Sequence, residues 1–269
     1  MAITAEKFAQ MVQRIAPLSC AYDWDNSGMT LHIHDEVKKV FVCLDVTEDT
    51  LKEAREAGCD TILSHHPLLF SAQKKFDKEE PVSSLFLQAV GAGINLYAAH
   101  TSYDCAPGGM NDQLAALLGL VKLRPLVVQG EDEKGAVTSV AGTVGEYEAA
   151  LDLAAFAKRV KEGLKLPVVR IAYGGKEIKK VACMGGAGCE FLMDAATAGA
   201  DAFLTGEVKH NYFAEARALG VTLVEAGHYD TEKIFVSAMC DSLQNIKNEL
   251  QCSIEVICSL HEKRPYEFC

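Results

Sequence analysis

The chain has 269 residues, of which 49% are hydrophobic and 23% are charged, and its formal net charge is −11. This length is sufficient for one large α/β unit or for two lobes with a substantial core. The acidic balance argues against a dedicated nucleic-acid-binding protein, and no apolar run has the length of a membrane-spanning helix. The first 18 residues predict an amphipathic helix without the basic start of a secretory signal, so we expect a cytoplasmic protein.

Ten cysteines raise the question of disulfide bonds. They form no CxxC pair, and Cys43, Cys183 and Cys258 lie inside apolar runs that predict strands. The spacings of Cys183 to Cys189 and of Cys252 to Cys258 are too wide for the common zinc-binding knuckles. We therefore expect most of the cysteines to be small buried side chains in a reducing compartment rather than disulfide partners.

Two segments of the chain resemble each other. KKVFVCLDVTEDTLKEAREAGCDTILSHH begins at Lys38, and KKVACMGGAGCEFLMDAATAGADAFLTGE begins at Lys179. Each predicts a strand, a turn, a helix ending at Gly58 or Gly199, and a second short apolar strand. A further helix and strand follow in both copies, which is typical of parallel sheets covered by helices. The prediction is an α/β fold made of two related α/β lobes, an internal duplication with mainly parallel sheets.

The two lobes are predicted at residues 1–124 and 125–269. No low-complexity linker separates them, so we do not expect domains that move independently. The closing amphipathic helix and strand in residues 233–269 either stay with the second lobe or pack back on the first. Residues 71–81 form a long polar loop, which is either a flexible cover over a site or an ordinary solvated connection.

Residues with metal-binding side chains follow three of the predicted apolar strands. His65 and His66 end the segment TILSHH, Asp104 follows GINLYAAH, and His228 and Glu232 lie in EAGHYDTE. Functional groups of parallel α/β sheets lie beyond the C-terminal ends of the strands, so we expect these five residues to meet. Adjacent histidines leave the backbone in different directions and suit different ions, whereas a carboxylate such as Glu232 can bridge two cations. The pattern predicts a dinuclear metal site.

Other residues near this site have roles that the sequence leaves open. His100 either orients a metal ligand, acts as a general base or is a core histidine. Gly185, Gly186 and Gly188 follow a predicted strand, and their N–H groups either hold an anion such as a nucleotide phosphate or allow close strand–helix packing.

Three carboxylates are further candidates for this region. Asp25 and Asp45 either face the site or serve local turns. Glu207 follows the strand that corresponds to the histidine strand of the first copy, so we expect it at the edge of the site.

Several motifs also resemble those of the NIF-three-like family of dinuclear-metal proteins, often described as homologues of the type-two GTP cyclohydrolase one. They are WDNSGM, SHHPLLF, HTSYDCAPGGMND, GGAG, TGE and GHYDTE, and they cover essentially the whole chain. The resemblance implies that the five residues named above bind two divalent ions. It also implies a ring-shaped homohexamer whose metal sites face an inner cavity. The family commonly has HTNLD where this chain has HTSYD, so Ser102 and Tyr103 alter the surroundings of the site.

We therefore expect a metal-dependent hydrolase that acts on a nucleotide or another phosphorylated small molecule, with GTP ring opening as the case that the resemblance implies. Mixed imidazole and carboxylate ligands suit zinc, iron, manganese and nickel alike. The alternative is a non-enzymatic metal-binding scaffold or interaction protein. Neither a membrane nor a nucleic acid is an expected partner.

Overall fold

The computed structural model describes residues 2–269, which divide into two compact units. The first unit contains the described residues up to Tyr103 together with Phe235–Lys263, and the second contains Asp104–Ile234 and Arg264–Cys269. The second unit thus begins about twenty residues before the predicted boundary at 124/125. The reason is that the helix Met110–Leu117 packs its apolar side chains into the core of the second unit.

Residues 2–104 form a short antiparallel pair followed by alternating strands and helices. Their elements are β1 (Ile3–Thr4), α1 (Ala5–Gln13), β2 (Gly28–Leu31), β3 (Glu36–Val37), β4 (Lys39–Cys43), α2 (Glu48–Glu56), β5 (Thr61–Ser64), α3 (Pro81–Ala92), β6 (Asn95–Ala98) and α4 (Thr101–Asp104). The sequence explains where α2 begins: Thr47 and Thr50 form a reciprocal capping box that satisfies N–H groups at the start of the helix.

The remaining residues contain a long hairpin, a second run of alternating strands and helices, and the closing helix and strand. In chain order these are α5 (Met110–Leu117), β7 (Val121–Glu131), β8 (Val137–Leu151), α6 (Leu153–Leu164), β9 (Arg170–Ala172), β10 (Ile178–Met184), α7 (Leu192–Thr197), β11 (Ala202–Thr205), α8 (His210–Leu219), β12 (Thr222–Glu225), α9 (His228–Glu232), α10 (Ile234–Glu249) and β13 (Glu255–Cys258). Among residues 2–269, no helix is long and apolar enough to cross a membrane.

Each unit is built on one main sheet. The sheet of the first unit has the order β13-β4-β5-β6-β2, and only the edge strand β2 is antiparallel to its neighbour. The sheet of the second unit has the order β7-β8-β10-β11-β12-β9. There, β10, β11 and β12 run parallel, and the other pairings are antiparallel. The α/β class is therefore confirmed, and the parallel strands of the second unit lie at the centre of a mixed sheet.

The duplication is visible at the level of single hydrogen bonds. Asp60 Oδ2 accepts from the backbone N–H groups of Lys38 and Lys39, at 2.8 and 3.1 Å. In the second unit, Asp201 Oδ2 accepts from Lys179 and Lys180, at 3.0 and 2.9 Å. Each aspartate thus joins the start of one parallel strand to the start of the next, in β4–β5 and in β10–β11. The predicted internal duplication is confirmed.

Both faces of the second sheet are covered by apolar side chains. Successive residues of β10 point to opposite faces, as the pleat of a strand requires. Val181 and Cys183 belong to one buried cluster, which includes side chains of α5 and α6. Ala182 and Met184 belong to the other, which includes side chains of α7 and α8. This double coverage explains why the central strands read as continuous apolar runs.

Most of the cysteines follow the prediction. Six of the free cysteines are buried within the described chain: Cys20, Cys43, Cys59, Cys105, Cys183 and Cys189. Cys240 and Cys258, however, form a disulfide with a Cα–Cα distance of 6.3 Å. This pair corrects the expectation for Cys258, because α10 returns to the first unit and brings Cys240 next to strand β13.

Candidate metal centre

Three histidines meet at one edge of the first sheet. His65 and His66 directly follow β5, and His100 comes two residues after the end of the adjacent parallel strand β6. One ring nitrogen from each of the three lies within 4.8 Å of the others. His65 is fully buried, and the side chain of His100 is only 13% exposed. We call these three residues the histidine cluster.

Each ring of the histidine cluster is oriented through its Nδ1 atom. That atom contacts an oxygen in all three cases: His65 to Ala99 O at 2.8 Å, His66 to Asp45 Oδ1 at 2.8 Å, and His100 to Asp25 Oδ1 at 2.7 Å. Carbonyl and carboxylate oxygens only accept hydrogen bonds, so Nδ1 carries the proton in each ring. The neutral ring then has its lone pair on Nε2, and this is the orientation typical of histidines that bind metal ions.

Asp25 anchors this arrangement from the loop before β2. Its carboxylate is fully buried and accepts hydrogen bonds from Ser27 Oγ and Thr101 Oγ1, both at 2.6 Å, as well as from His100. Burial raises the pKa of Asp25, but the hydrogen bonds from these three side chains outweigh it, and the pKa lies below its ordinary value. Asp25 is therefore an ionised acceptor that fixes His100.

The second unit carries three more candidate ligands. His228 and Glu232 lie one helical turn apart on α9, with His228 Nε2 at 3.0 Å from Glu232 Oε2. Asp104 and Glu232 offer ligand oxygens within 4.8 Å of each other. His228 Nδ1 contacts Glu207 Oε1 at 2.9 Å, which directs Nε2 towards Glu232. We call Asp104, His228 and Glu232 the acidic group.

The glycine loop after β10 leaves room for the acidic group. Gly186 has φ +60°, and a Cβ at this position would collide with Glu232 Oε1 and lie 3.2 Å from His228 Nε2. The N–H groups of the loop are already used inside the protein: Gly185 donates to Asn111 Oδ1, Gly186 to Thr231 Oγ1 and Gly188 to Thr205 Oγ1. The structure thus favours close packing over the anion-binding alternative for these glycines.

The C-terminal residues hold α9, the helix that carries two of the candidate ligands. Asp230 of α9 is buried, and both of its oxygens accept from Arg264, Nε at 2.8 Å and Nη2 at 2.6 Å. Lys233 Nζ and Tyr266 OH contact the same carboxylate, at 2.9 and 3.2 Å. Burial raises the pKa of Asp230, but the hydrogen bonds from Arg264 and Lys233 outweigh it, so the pKa lies below its ordinary value.

These donors fit divalent metal ions. Imidazole nitrogens and carboxylate oxygens are the ligands of zinc, iron, manganese and nickel sites in proteins. Two such atoms on one ion, each about 2.1 Å from it, lie roughly 3 Å apart, which is close to the separation of His228 Nε2 and Glu232 Oε2. Gly186 provides the space in which these two side chains converge. The chain therefore contains groups of histidine and acidic residues that could hold a metal ion.

The structure adds Glu262, which the sequence did not single out, and it brings His100 together with His65 and His66 as a further candidate ligand. Glu262 accepts from the backbone N–H groups of Leu44 and Asp45, at 2.9 and 2.7 Å, and so fixes the turn that orients His66. Its position near the C-terminus gave no local signal, since it lies 217 residues from Asp45 in sequence.

Comparison with known proteins identifies the family. A family model described as Duf34/NIF3 (NGG1p interacting factor 3) matches residues 3–265. The chain belongs to this family. The resemblance found in the motifs is thereby confirmed.

Relatives and solved structures match over nearly the full chain. A Clostridium acetobutylicum protein named GTP cyclohydrolase 1 type 2 homolog is 28% identical over 272 residues, covering 100% of both chains. A protein of the same name from Clostridium perfringens is 30% identical over 260 residues, covering 96% of this chain and 97% of its own. The Staphylococcus aureus hypothetical protein SA1388 superposes with a TM-score of 0.93 at 27% identity, covering 100% of both chains. Reduced HcgD from Methanocaldococcus jannaschii gives a TM-score of 0.74 at 26% identity, covering 96% of this chain and 98% of its own.

Proposed function

We propose that the protein is a metal-dependent hydrolase in which the histidine cluster and the acidic group together hold two divalent ions. The observation that carries the proposal is the common orientation of four histidines. In each of them Nδ1 contacts an oxygen, so that Nε2 is the ring nitrogen that can bind a metal ion: His65, His66, His100 and His228. Histidines that bind a metal ion through Nε2 typically donate their Nδ1–H to a carboxylate or a backbone carbonyl, and all four share this arrangement.

The residues of the chain have distinct tasks in this proposal. His65, His66, Asp104, His228 and Glu232 would hold the ions, and the low exposure of Glu232, 3%, shields its carboxylate from water. Divalent ions held there would supply Lewis-acid chemistry and an activated water for attack on a phosphoryl or related centre. Asp25, Asp45 and Glu207 hold the imidazole rings of His100, His66 and His228 in place by accepting hydrogen bonds from their Nδ1–H groups. His100 serves as a further ligand or as the base that takes a proton from the attacking water.

The proposed substrate is a nucleotide or another phosphorylated small molecule. The relatives from two Clostridium species are named as GTP cyclohydrolase homologues, which supports GTP ring opening as the first reaction to test. The proposal includes a cytoplasmic location and assembly into a homohexamer. Analytical ultracentrifugation of the purified protein tests the assembly directly, since a stable mass of one or two chains contradicts it.

A turnover screen tests the proposed activity. Protein freed of metal with a chelator is reloaded separately with zinc, manganese, iron and nickel, and each form is incubated with GTP and with a panel of nucleotides. We expect turnover that depends on the metal and that is lost in His65→Ala and Glu232→Ala. The exposed His210 on α8 provides the control, because His210→Ala should retain both metal and activity. Turnover that persists in metal-free protein or in both ligand variants contradicts the proposal.

The rival function is a metal-binding scaffold or interaction protein. The family description, NGG1p interacting factor 3, supports this alternative. A scaffold would show metal-dependent thermal stability without any substrate-dependent turnover. The same reloaded samples decide between the two, because an enzyme prefers one substrate and a scaffold prefers none.

A further inference from the structure

Two large aromatic side chains project into solvent beside the histidine cluster. Trp24 is 59% exposed and Phe70 is 56% exposed. Both rings contact the imidazole of His100 in an edge-to-face arrangement, with centroid distances of 6.2 and 5.9 Å. Exposure of such large apolar rings to water is unfavourable compared with burial. An exposed pair at a candidate active site therefore points to a ligand.

The two rings are held in place by their surroundings. Trp24 stacks on Tyr22, with centroids 5.5 Å apart and planes inclined by 18°. It directly precedes Asp25, the buried carboxylate that fixes His100. The loop that carries Trp24 is tied to the segment that carries Phe70, because Asn26 Nδ2 donates to Leu69 O at 2.6 Å. Trp24 and Phe70 themselves lie 5.8 Å apart, with their planes at 47°.

We propose that Trp24 and Phe70 form an aromatic clamp that stacks against a planar aromatic or heteroaromatic ring of the substrate. This inference rests on the proposed hydrolase function and specifies its substrate class. Stacked ring pairs have centroid distances of about 4.5–7 Å, and this contact suits any flat π-system. A bare phosphate has no flat face, and a simple sugar has no π-system. The clamp thus selects substrates whose reacting group is attached to a ring, and it places that group at His100 and its neighbours.

The fluorescence of Trp24 tests the clamp directly, since it is the only tryptophan in the chain. Metal-free full-length protein is excited at a wavelength selective for tryptophan and titrated with adenosine, guanosine and nicotinamide. Ribose and inorganic phosphate serve as ligands without an aromatic ring. We expect at least one aromatic ligand to quench Trp24 in a saturable manner, and neither ribose nor phosphate to do so.

Two phenylalanine variants make the test specific. Phe70→Ala should weaken the affinity for the quenching ligand by about 5- to 150-fold, the range that corresponds to the loss of one stacking contact. Phe76→Ala is the matched control, because Phe76 is 42% exposed but stacks on Phe86, at 4.8 Å, rather than on His100. Its affinity should equal that of the parent protein.

The outcomes separate the clamp from the metal site. Equal affinity in the two variants, or no saturable quenching by any of the three aromatic ligands, overturns the clamp. A change in oligomeric mass in Phe70→Ala with unchanged ligand affinity also overturns it, since the rings would then contact a second copy of the chain. Metal content is measured on the same preparations. Quenching without metal uptake would support the clamp and refute the proposed hydrolase. Metal uptake with turnover but without quenching would support the hydrolase and refute the clamp.

Discussion

Replacing Gly186 by alanine should destabilise the fold and also weaken metal binding, because the new Cβ would crowd two candidate ligands. Gly186 is buried and has φ +60°, a backbone conformation that costs an alanine about 1–2 kcal/mol. The new Cβ would also collide with Glu232 Oε1 and lie 3.2 Å from His228 Nε2. Overpacking of this kind typically adds about 1–3 kcal/mol. We therefore expect Gly186→Ala to lower the free energy of unfolding by about 2–5 kcal/mol.

Gly175→Ala is a matched control in the same unit. Gly175 has φ +86° and nothing within 4 Å of a Cβ built on it. This variant should therefore show the backbone cost alone, about 1–2 kcal/mol. The difference between the two variants isolates the effect of crowding Glu232 and His228.

The assay has two parts, urea denaturation of the metal-free variants and zinc titration against a competing chelator. We expect zinc affinity to fall by about 10- to 100-fold in Gly186→Ala, the range seen when groups that position metal ligands are disturbed. Gly175→Ala should bind zinc as the parent protein does. Equal zinc affinity in both variants would show that Gly186 has no role in placing Glu232 and His228.

Three further variants test other parts of the structure. Arg264→Ala removes the bidentate partner of the buried Asp230 and should lower the free energy of unfolding by about 2–3 kcal/mol. Arg14→Ala breaks an exposed ion pair and should lower it by less than about 1 kcal/mol. Equal losses in urea denaturation of the two variants would contradict this difference. Burial raises the pKa of Asp201, but its hydrogen bonds outweigh this effect and set the pKa below the usual 3.8. The ionised carboxylate therefore stabilises the fold above about pH 4, and this contribution is lost as the pH falls through the lowered pKa. Asp201→Asn should therefore lose about 1–2 kcal/mol at pH 7 and progressively less below pH 4; a loss that is constant with pH refutes an ionised role. Glu207→Ala removes the oxygen that contacts His228 Nδ1 and should weaken metal binding by about tenfold without changing the melting temperature of the metal-free protein. Unchanged affinity would show that the carboxylate does not orient its histidine.

Local patterns in the sequence predicted the features that depend on neighbouring residues. The apolar runs and their helical spacers indicated the α/β class, and the matching segments that begin at Lys38 and Lys179 indicated the duplication. The rule that functional groups follow strand ends correctly predicted that His65 and His66 lie directly after a buried strand, in a group of candidate metal ligands. It also directed attention to His100, although it did not identify it as a candidate ligand.

Features that depend on distant residues were not predictable in the same way. Glu262 orients the turn around Asp45 from the other end of the chain. The Cys240–Cys258 disulfide depends on the return of α10 to the first unit. The packing role of Gly186 depends on where Glu232 lies in space, whereas the glycine-rich sequence alone is equally compatible with an anion site. In each case one contact between remote segments decides between alternatives that look the same locally.

Elemental analysis decides whether the proposed dinuclear centre exists. The protein is purified without added metal and compared with His65→Ala, Glu232→Ala and the control His210→Ala. We expect about two divalent transition-metal ions per chain in the parent and in the control, and clearly fewer in His65→Ala and Glu232→Ala, whose far-ultraviolet circular dichroism should remain that of the parent. A parent protein that holds no metal and takes none up on reconstitution would contradict the proposed dinuclear centre and the hydrolase built on it.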